Sequence, residues 1–581
     1  MSRSDRLRPR RRPTMAVESL EARALLTSGP FTVVGPGVTP ADFRVTTFAS
    51  GLNYPTGLQP TADGSMMVAV SNPTAGHTSY FATTGEILRF TDANGDGVAD
   101  GPGQVLYDGL PGQLTALKQA GPFVLATSST PGTSTINVLA AGAGPASALS
   151  LLGQVSLTFP STAWEHTSYA LAVRPTPGQP GSYDVFFNVG SENNGIERDA
   201  NNNVVLDSNG HAIPTPSVGT ITAGGLLSGT LQPDSVDVAT LSSHNGAPVF
   251  SNLRQVADGL RNAASLAIDP TTGDLLIADN GIDGNNNGAV AWSADTLDRV
   301  PAADIGTTVL NFGYPYHYTL AAQTPGGPGP RVDLGPTSGV TLPVLAFQPL
   351  PDANIPNFGS RSQGASGFTI APPQFPDGLN HGVFAGFHGD FSTGGLTNTK
   401  NPVVFANPAT GQYFDFVSND QPNIGHVDGA AATTDALFLS DMTSTGDVFG
   451  TGGPGNGSVY EVKALVRDVS SQVTVHRGGF LFNRSTRQFT EFVTVTDTGP
   501  AIAGPIALVL DDLTPGVTLA NASGTTAATT PSGQPFINLP LGNTGTLAAG
   551  QSVTVMLTFT DPGYHPIAYV SDLLAYGAGP I

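Results

Sequence analysis

Short apolar runs that follow tight turns recur from about residue 43 to residue 463. Turns rich in Pro, Asp and Gly precede these runs, and apolar stripes with helical spacing are almost absent. Short apolar runs between turn signals indicate β-strands. Their repetition over most of the chain predicts a β-propeller, with one unusually large β-sandwich as the alternative. Examples of the runs are 66–70, 185–189, 275–278 and 436–440.

The pattern changes between residues 466 and 470. Beyond this point apolar and polar positions alternate more cleanly, as in the segments 489–495 and 553–559. Such alternation is typical of antiparallel strands with one solvated face. We therefore predict an all-β chain, with a propeller over residues 43–465 and an immunoglobulin-like β-sandwich over 470–581. The sandwich is expected to serve in spacing, packing or attachment.

The composition supports folded domains and excludes several classes of function. A chain of 581 residues that is 39% hydrophobic can bury more than one core. The net charge of -21 repels phosphate backbones, so nucleic acid is not expected as a partner. The chain has no cysteine and therefore no disulfide, thiol nucleophile or thiolate metal site.

Residues 1–28 differ from the rest of the chain and predict an export segment. A basic run from Arg3 to Arg12 is followed by a segment, 20–26, that resembles a short N-terminal motif of large exported bacterial surface proteins. Its apolar part is interrupted by charges, unlike a standard secretory signal. The alternative is a disordered basic tail ending in a short amphipathic helix. We expect a periplasmic, cell-surface or extracellular protein, with surface attachment as one outcome and no membrane span.

Four polar clusters stand beside predicted strands in the propeller region. The second cluster, 258–275, reads DGLRNAASLAIDPTTGDL, and the third is NFGYP at 311–315. The first, 164–175, begins with Trp-Glu-His, and the fourth is GVFAGFHG at 382–389. These motifs and their order resemble the glucose/sorbosone dehydrogenase family over residues 43–463. The resemblance implies a six-bladed propeller and, as in soluble quinoprotein sugar dehydrogenases, oxidation of a sugar or polyol by hydride transfer to pyrroloquinoline quinone.

The resemblance also implies roles for individual residues. His166 matches the general base that takes the proton of a sugar hydroxyl, a role that suits imidazole, and Glu165 matches an acidic neighbour that orients or polarises the ring. Arg261 and Asn262 match groups that contact the quinone and stabilise its developing charge. The remaining implied contacts are Gln113 with the sugar, and the backbone carbonyls of Gly281 and Ile282 with a calcium ion held beside the cofactor.

The late part of the propeller region departs from the family pattern. Pyrroloquinoline quinone carries three carboxylates, which are costly to bury without positive charge. The matching late segment 423–429 contains no arginine, and Lys400 is the one late lysine before Lys463. Two other classes of function therefore stay open: a non-catalytic propeller for surface binding or scaffolding, and a calcium-dependent hydrolase such as a lactonase. In the first, His166 is an ordinary structural histidine, and Arg261 and Asn262 brace a turn.

Residues 92–100, here called the acidic loop, carry a separate signal. Their sequence, DANGDGVAD, places oxygen-bearing side chains at alternate positions around glycines. Calcium prefers several oxygen ligands at such spacing, although the usual distal Glu is missing. We predict a calcium site formed by Asp92, Asn94, Asp96 and Asp100. The alternative is a plain turn of Asn, Gly and Asp.

Overall fold

The computed structural model describes residues 29–576 with gaps at 37, 39, 143, 145, 202, 209, 211, 284–292, 322–328, 349–363, 377, 390–402, 418–423, 425, 445–447, 451, 527–532 and 543–544. The predicted export segment 1–28 and Lys400 lie outside the described residues. Within these residues the regular structure is almost entirely strand, and short 3-10 helices are described at Pro40–Asp42 and Ser470–Gln472. The all-β prediction is confirmed. No helix in the described ranges has the length and apolar character needed to cross a membrane.

Six sheets, numbered here as blades in chain order, fill the first part of the described chain; they are antiparallel except that Leu310–Asn311 pairs parallel with Ala247–Asp258. Blade 1 comprises Leu58–Pro60, Met66–Pro73, Thr83–Phe90 and Gln104–Pro111; blade 2 comprises Gln113–Ala120, Phe123–Thr130, Thr133–Ala140, Ser150–Thr158, Ile221–Gly225 and Gly229–Leu231. Blade 3 comprises Leu171–Pro175, Tyr183–Val189, Ser235–His244, Ala247–Asp258 and Leu310–Asn311; blade 4 comprises Ala263–Ile268, Leu275–Asp279, Thr296–Val300 and Leu345–Ala346. Blade 5 comprises Ala365–Ile370, Val383–Phe387, Val403–Asn407 and Gln412–Asp415; blade 6 comprises Val427–Ala432, Ala436–Asp441, Gly457–Ala464 and Phe43–Leu52. A two-stranded sheet, His317–Thr319 with Arg331–Asp333, accompanies them.

The first strands of the six blades form a closed ring. Each contacts the first strand of the next blade, and the strand of blade 6 contacts that of blade 1. These strands surround a narrow central channel. Radial sheets around a channel are the arrangement of a β-propeller. The position of each blade in the ring follows from this order, so blades 3 and 6 lie across the channel from one another.

The apolar pattern accounts for the blades. The second strands are buried along most or all of their length, as in Leu275–Asp279 and Val383–Phe387, which matches the continuous apolar runs in the sequence. The turn before Leu275 is closed by Gly273, whose φ of 77° favours glycine. Apolar clusters fill the spaces between neighbouring blades, for example between blades 4 and 5.

The N-terminal strand closes the ring. Phe43–Leu52 pairs antiparallel with Gly457–Ala464, with Phe43 opposite Ala464. One sheet therefore joins the two ends of the propeller region, and the edge of Gly457–Ala464 is paired rather than exposed.

Two five-stranded sheets form a β-sandwich in the C-terminal region. One comprises Val466–Asp468, Val570–Tyr576, Ile506–Asp511, Pro535–Asn538 and Gly524–Thr525; the other comprises Val473–Arg477, Leu481–Asn483, Gln488–Asp497, Ser552–Thr560 and Thr518–Leu519. A further pair is Ile502–Ala503 with Thr546–Leu547. A shared apolar core lies between the two sheets. The first sheet takes its edge strand from Val466–Asp468, before the predicted domain start at 470, and an immunoglobulin-like relationship stays a prediction.

Candidate functional site

A cavity of about 580 Å³ lies over one end of the central channel. All six blades contribute to its wall through their first strands or the loops next to them. Cavities of this size and position are common ligand sites. The residues that represent the six blades are Thr56, Gln113, His166, Asn262, Ser366 and Asp428.

The cavity brings together the predicted catalytic, sugar-binding and cofactor-binding residues. Although they are widely separated in sequence, all of them line this one space, and their individual roles stay predictions. They are Gln113, Glu165, His166, Arg261, Asn262, Gly281 and Ile282.

The segment that carries His166 is fixed by hydrogen bonds to the neighbouring strand of blade 3. The side chain of Asn188 accepts bonds from the N–H groups of Tyr169 and Ala170 at 2.7 and 2.8 Å. The Trp164 indole donates to the Gly190 carbonyl at 3.1 Å. A Cβ at Gly190 would stand 2.7 Å from the His166 Cβ, so only glycine allows this approach. The histidine is thus held firmly beside the cavity.

A buried serine orients the His166 ring. The Ser191 hydroxyl donates to the Asn193 carbonyl at 2.8 Å, and its oxygen lies 2.9 Å from His166 Nδ1. Because the hydroxyl proton is used by Asn193, Nδ1–H donates to Ser191, and Nε2 is left as the basic nitrogen. Burial, reinforced by the Arg261 charge, holds the pKa of His166 well below its ordinary value. The ring is therefore neutral near pH 7 and able to accept a proton.

A buried carboxyl group shapes the Arg261-Asn262 turn. The two oxygens of Asp279 accept bonds from the N–H groups of Arg261 and Asn262 at 3.1 and 2.7 Å. Burial raises the pKa of Asp279, with the charge of Asp298 adding to the effect. The Arg261 guanidinium forms an ion pair of 2.6 Å with Asp283. Burial alone would lower the pKa of Arg261, but Asp283 and the other acidic groups outweigh it, so the guanidinium stays charged.

The predicted calcium carbonyls lie next to this turn. Gly281 N–H donates to Asp295 at 2.8 Å, and the Ile282 carbonyl already accepts a bond of 3.1 Å from Ser293 N–H. A Cβ at Gly281 would stand 2.5 Å from the Ser293 hydroxyl, which explains glycine at this position. Across the described residues, no group of three or more His, Asp or Glu side chains is placed to hold a metal ion.

Four buried polar atoms in the cavity wall have no hydrogen-bond partner within the described structure. Buried polar groups in native proteins are nearly always paired, so each such atom calls for an explanation. Their concentration in one cavity indicates that a ligand or ordered water pairs with them. The atoms are Arg261 Nε, Asn262 Oδ1, Asn280 Oδ1 and Asp428 Oδ2.

Aromatic side chains form another part of the wall. Phe81 and Phe449 stack on each other with ring centroids 5.4 Å apart, and about half of each side chain is exposed. Tyr80 and Tyr169 line the cavity as well. The cavity therefore has both an apolar face and a polar face, a combination suited to a hydroxylated ring.

The predicted calcium ligands of the acidic loop lie elsewhere. The loop connects the third and fourth strands of blade 1, and none of its residues lines the cavity. Asp92 accepts bonds from the N–H groups of Gly95, Asp96 and Gly97 at 2.8, 3.1 and 2.8 Å. These bonds support the turn interpretation, and a calcium site here stays a prediction.

Several residues of the site carry no motif in the sequence. Four residues of the site were not predicted: Ser191, Asp283, Asp295 and Asp428. Asp279 ends the strand Leu275–Asp279 and Asp283 follows the predicted Gly281 and Ile282, so these two flanking acidic residues were a usable signal. Ser191 and Asp428 had no such signal: the pairing of the first two strands of blade 3 places Ser191 beside His166, and the ring of blades places Asp428 at the cavity.

Comparisons with known proteins give structural matches only. No family model matches the chain, and neither does any curated protein. The holo form of the pyranose dehydrogenase PQQ domain from Coprinopsis cinerea covers 73% of this chain and 96% of its own, with 15% identity and a TM-score of 0.43. The PQQ-bound aldose sugar dehydrogenase from Streptomyces coelicolor covers 73% and 99%, with 15% identity and a TM-score of 0.39.

A structure of a differently named protein is also matched. PhoX from Pseudomonas fluorescens, in complex with the transition state analogue vanadate, covers 75% of this chain and 98% of its own at 11% identity and a TM-score of 0.32. PQQ-bound sugar dehydrogenases, which the sequence motifs resemble, are thus among the matched structures.

Proposed function

We propose that the chain oxidises a sugar or related polyol, with His166 as the general base and a bound quinone as the acceptor of the hydride. The observation that carries the proposal is the convergence of His166, Arg261 and Asn262 on one cavity. A neutral, oriented imidazole beside an unpaired guanidinium nitrogen supplies a proton acceptor and a donor for developing negative charge.

In this proposal the chain's own groups hold and deprotonate the substrate. Nε2 of His166 takes the proton of the reacting hydroxyl, while Ser191 keeps the ring in the required tautomer. Gln113 and Glu165 bind further hydroxyl groups. The aromatic pair Phe81 and Phe449 covers the apolar face of the sugar ring. A quinone without several carboxylates, if bound here, would supply the two-electron acceptor that the reaction needs.

The described residues do not fit pyrroloquinoline quinone itself. Among the described lining residues, Arg261 is the sole Lys or Arg, and Asp283 already pairs with it. Four carboxyl groups, those of Glu165, Asp283, Asp295 and Asp428, share the wall. Three cofactor carboxylates in this space would meet repulsion and uncompensated desolvation. We therefore derive no step through this cofactor, and calcium beside it stays a proposal without a described ligand set.

The same charge balance favours a second candidate function. A propeller that binds a neutral sugar without oxidising it needs the aromatic wall and the polar groups but no cofactor. In that case His166 binds a hydroxyl group of the sugar. His166→Ala should then weaken sugar binding, and neither the wild type nor the variant should oxidise the sugar. A calcium-dependent hydrolase gains no comparable support, since the described residues hold no metal-binding cluster.

Dye-linked oxidation tests the proposed function directly. The purified full chain is incubated with calcium and a panel of quinones, including pyrroloquinoline quinone, and then with neutral aldoses and alditols. We expect reduction of the dye that depends on both sugar and quinone. Sugar binding by calorimetry without any dye reduction would favour the binding protein, and absence of both would overturn the two candidates together.

A further inference from the structure

The most distinctive group that the motifs do not include is Asp428. It lies in the first strand of blade 6, where its side chain lines both the cavity and the central channel. Its Oδ2 is buried and has no hydrogen-bond partner in the described structure. Since blade 6 lies across the channel from blade 3, Asp428 faces the cavity from the side opposite His166.

The unpaired atoms of the cavity define what a ligand must offer. Asn262, Asn280 and Asp428 each present an oxygen acceptor, whereas Arg261 presents one N–H donor. A ligand that satisfies this set must mainly donate hydrogen bonds, as hydroxyl and ammonium groups do and carboxylates do not.

The charges of the wall support the same conclusion. Asp428 shares the cavity with Glu165, Asp283 and Asp295, and among the described lining residues the one cationic group, Arg261, is already paired with Asp283. Burial raises the pKa of Asp428 to about 7; a side-chain hydrogen bond with Ser366 opposes the rise and the Asp441 charge adds to it, so the carboxyl group ionises as the pH rises through this value. An anionic ligand would then face a carboxylate whose buried Oδ2 has no hydrogen-bond partner in the described structure.

We propose that Asp428 is a specificity-determining residue, which binds a hydroxyl group of a neutral or cationic sugar and rejects sugars that carry a carboxylate. This inference rests on the proposed sugar site and names its substrate class. The sugar is held between His166 on one side and Asp428 on the other, with its apolar face towards the aromatic wall.

A charge series of similar rings tests the proposal by equilibrium binding. Glucosamine, glucose and glucuronate are titrated against the full chain at pH 8 by calorimetry. We expect glucuronate to bind about tenfold or more weakly than glucose, the scale of one hydrogen bond to a charged group plus repulsion. Asp428→Asn keeps the size of the side chain and should shrink this ratio to about threefold or less.

Two variants accompany Asp428→Asn. Asp237 is also buried, has its pKa raised to about 7 by burial, and does not line the cavity, so Asp237→Asn should keep the wild-type ratio. Asp428→Ser also removes the carboxylate while keeping a small polar side chain, and it serves if Asp428→Asn does not fold.

The outcomes separate this inference from the proposed oxidation. If the binding ratios follow the expectation for the wild type and for Asp428→Asn but no dye is reduced, the role of Asp428 in specificity is supported and the proposed oxidation is rejected. Dye reduction with an unchanged ratio in Asp428→Asn or, if that variant does not fold, in Asp428→Ser supports oxidation and overturns the inference. Equal binding of glucose and glucuronate by the wild type, or no binding of any of the three sugars, overturns the inference as well.

Discussion

The cavity and the acidic loop use similar residues in opposite ways. In the loop, the Asp92 carboxylate accepts three backbone N–H bonds, and Asp100 accepts another from Ala93 at 2.7 Å. In the cavity, Asp428 and the two asparagines 262 and 280 keep buried oxygens without a partner. Carboxylates whose oxygens are occupied by backbone donors stabilise a turn, whereas unpaired buried oxygens are available to a ligand.

The loop also fastens two blades together. Arg44 and Thr46, in the N-terminal strand of blade 6, donate to the carbonyls of Gly95 and Gly97 at 2.7 and 2.6 Å. The loop of blade 1 is therefore attached to the strand that closes the ring. The comparison predicts that substitutions in the cavity change activity and that substitutions in the loop change stability.

The largest expected effect is the loss of the proposed base. His166→Ala should lower dye-linked sugar oxidation by about two to four orders of magnitude, the usual contribution of acid–base catalysis, with little change in melting temperature. His77 is exposed and outside the cavity, so His77→Ala should match the wild type. A His166→Ala variant with full activity would remove this histidine from the chemistry.

The second prediction concerns the group that orients the ring. Ser191→Ala removes the partner of Nδ1, which allows the unproductive tautomer, and we expect kcat to fall about tenfold with KM nearly unchanged. Ser217 belongs to a nearby loop and donates to Asp234 at 2.6 Å without touching His166. Ser217→Ala is therefore the matched control. A change confined to KM would assign Ser191 to substrate binding instead.

The strands and part of the cavity could be predicted from the sequence. The strands were predictable because buried runs and turn residues alternate locally, and the predicted strands at 66–70 and 436–440 lie within Met66–Pro73 and Ala436–Asp441. The joint location of His166, Arg261 and Asn262 in one cavity followed from motifs next to those strands.

Ser191 and Asp428 could not be found in the same way. Asp428 lies in the late segment 423–429, for which the resemblance implied a positive charge and no carboxyl group, and in an alanine-rich strand. Its importance comes from ring closure, which places blade 6 across from blade 3, and from the lack of a partner for Oδ2. Hydrogen-bond satisfaction is a property of the folded chain, so sequence patterns alone also could not distinguish the occupied carboxylates of the acidic loop from this one.

A third prediction tests the loop side of the comparison. Asp92→Ala removes an acceptor for three N–H groups and should destabilise the chain by about 1–2 kcal/mol, comparable to loss of a helix cap, while sugar oxidation is unchanged. Thermal melts of Asp92→Ala and of the control Asp108→Ala, at an exposed position of blade 1, measure the difference. The predicted calcium site requires in addition that calcium raise the wild-type melting temperature and that Asp96→Ala abolish the rise.

The smallest effect is a displacement of the acidic limb of the pH–rate profile. The proposed base must be unprotonated, and burial together with the Arg261 charge lowers the pKa of His166 from its ordinary value of 6.5. As the pH falls, activity should therefore persist below 6.5 and decline only as the lowered pKa is passed. Arg261→Gln removes the nearby positive charge, so its limb should move to higher pH even though its absolute rate is lower. Plots of kcat/KM against pH for the wild type and for Arg261→Gln give the pH of the acidic limb in each protein. A wild-type limb at or above pH 6.5 would mean that His166, as this structure places it, is not the group that accepts the proton.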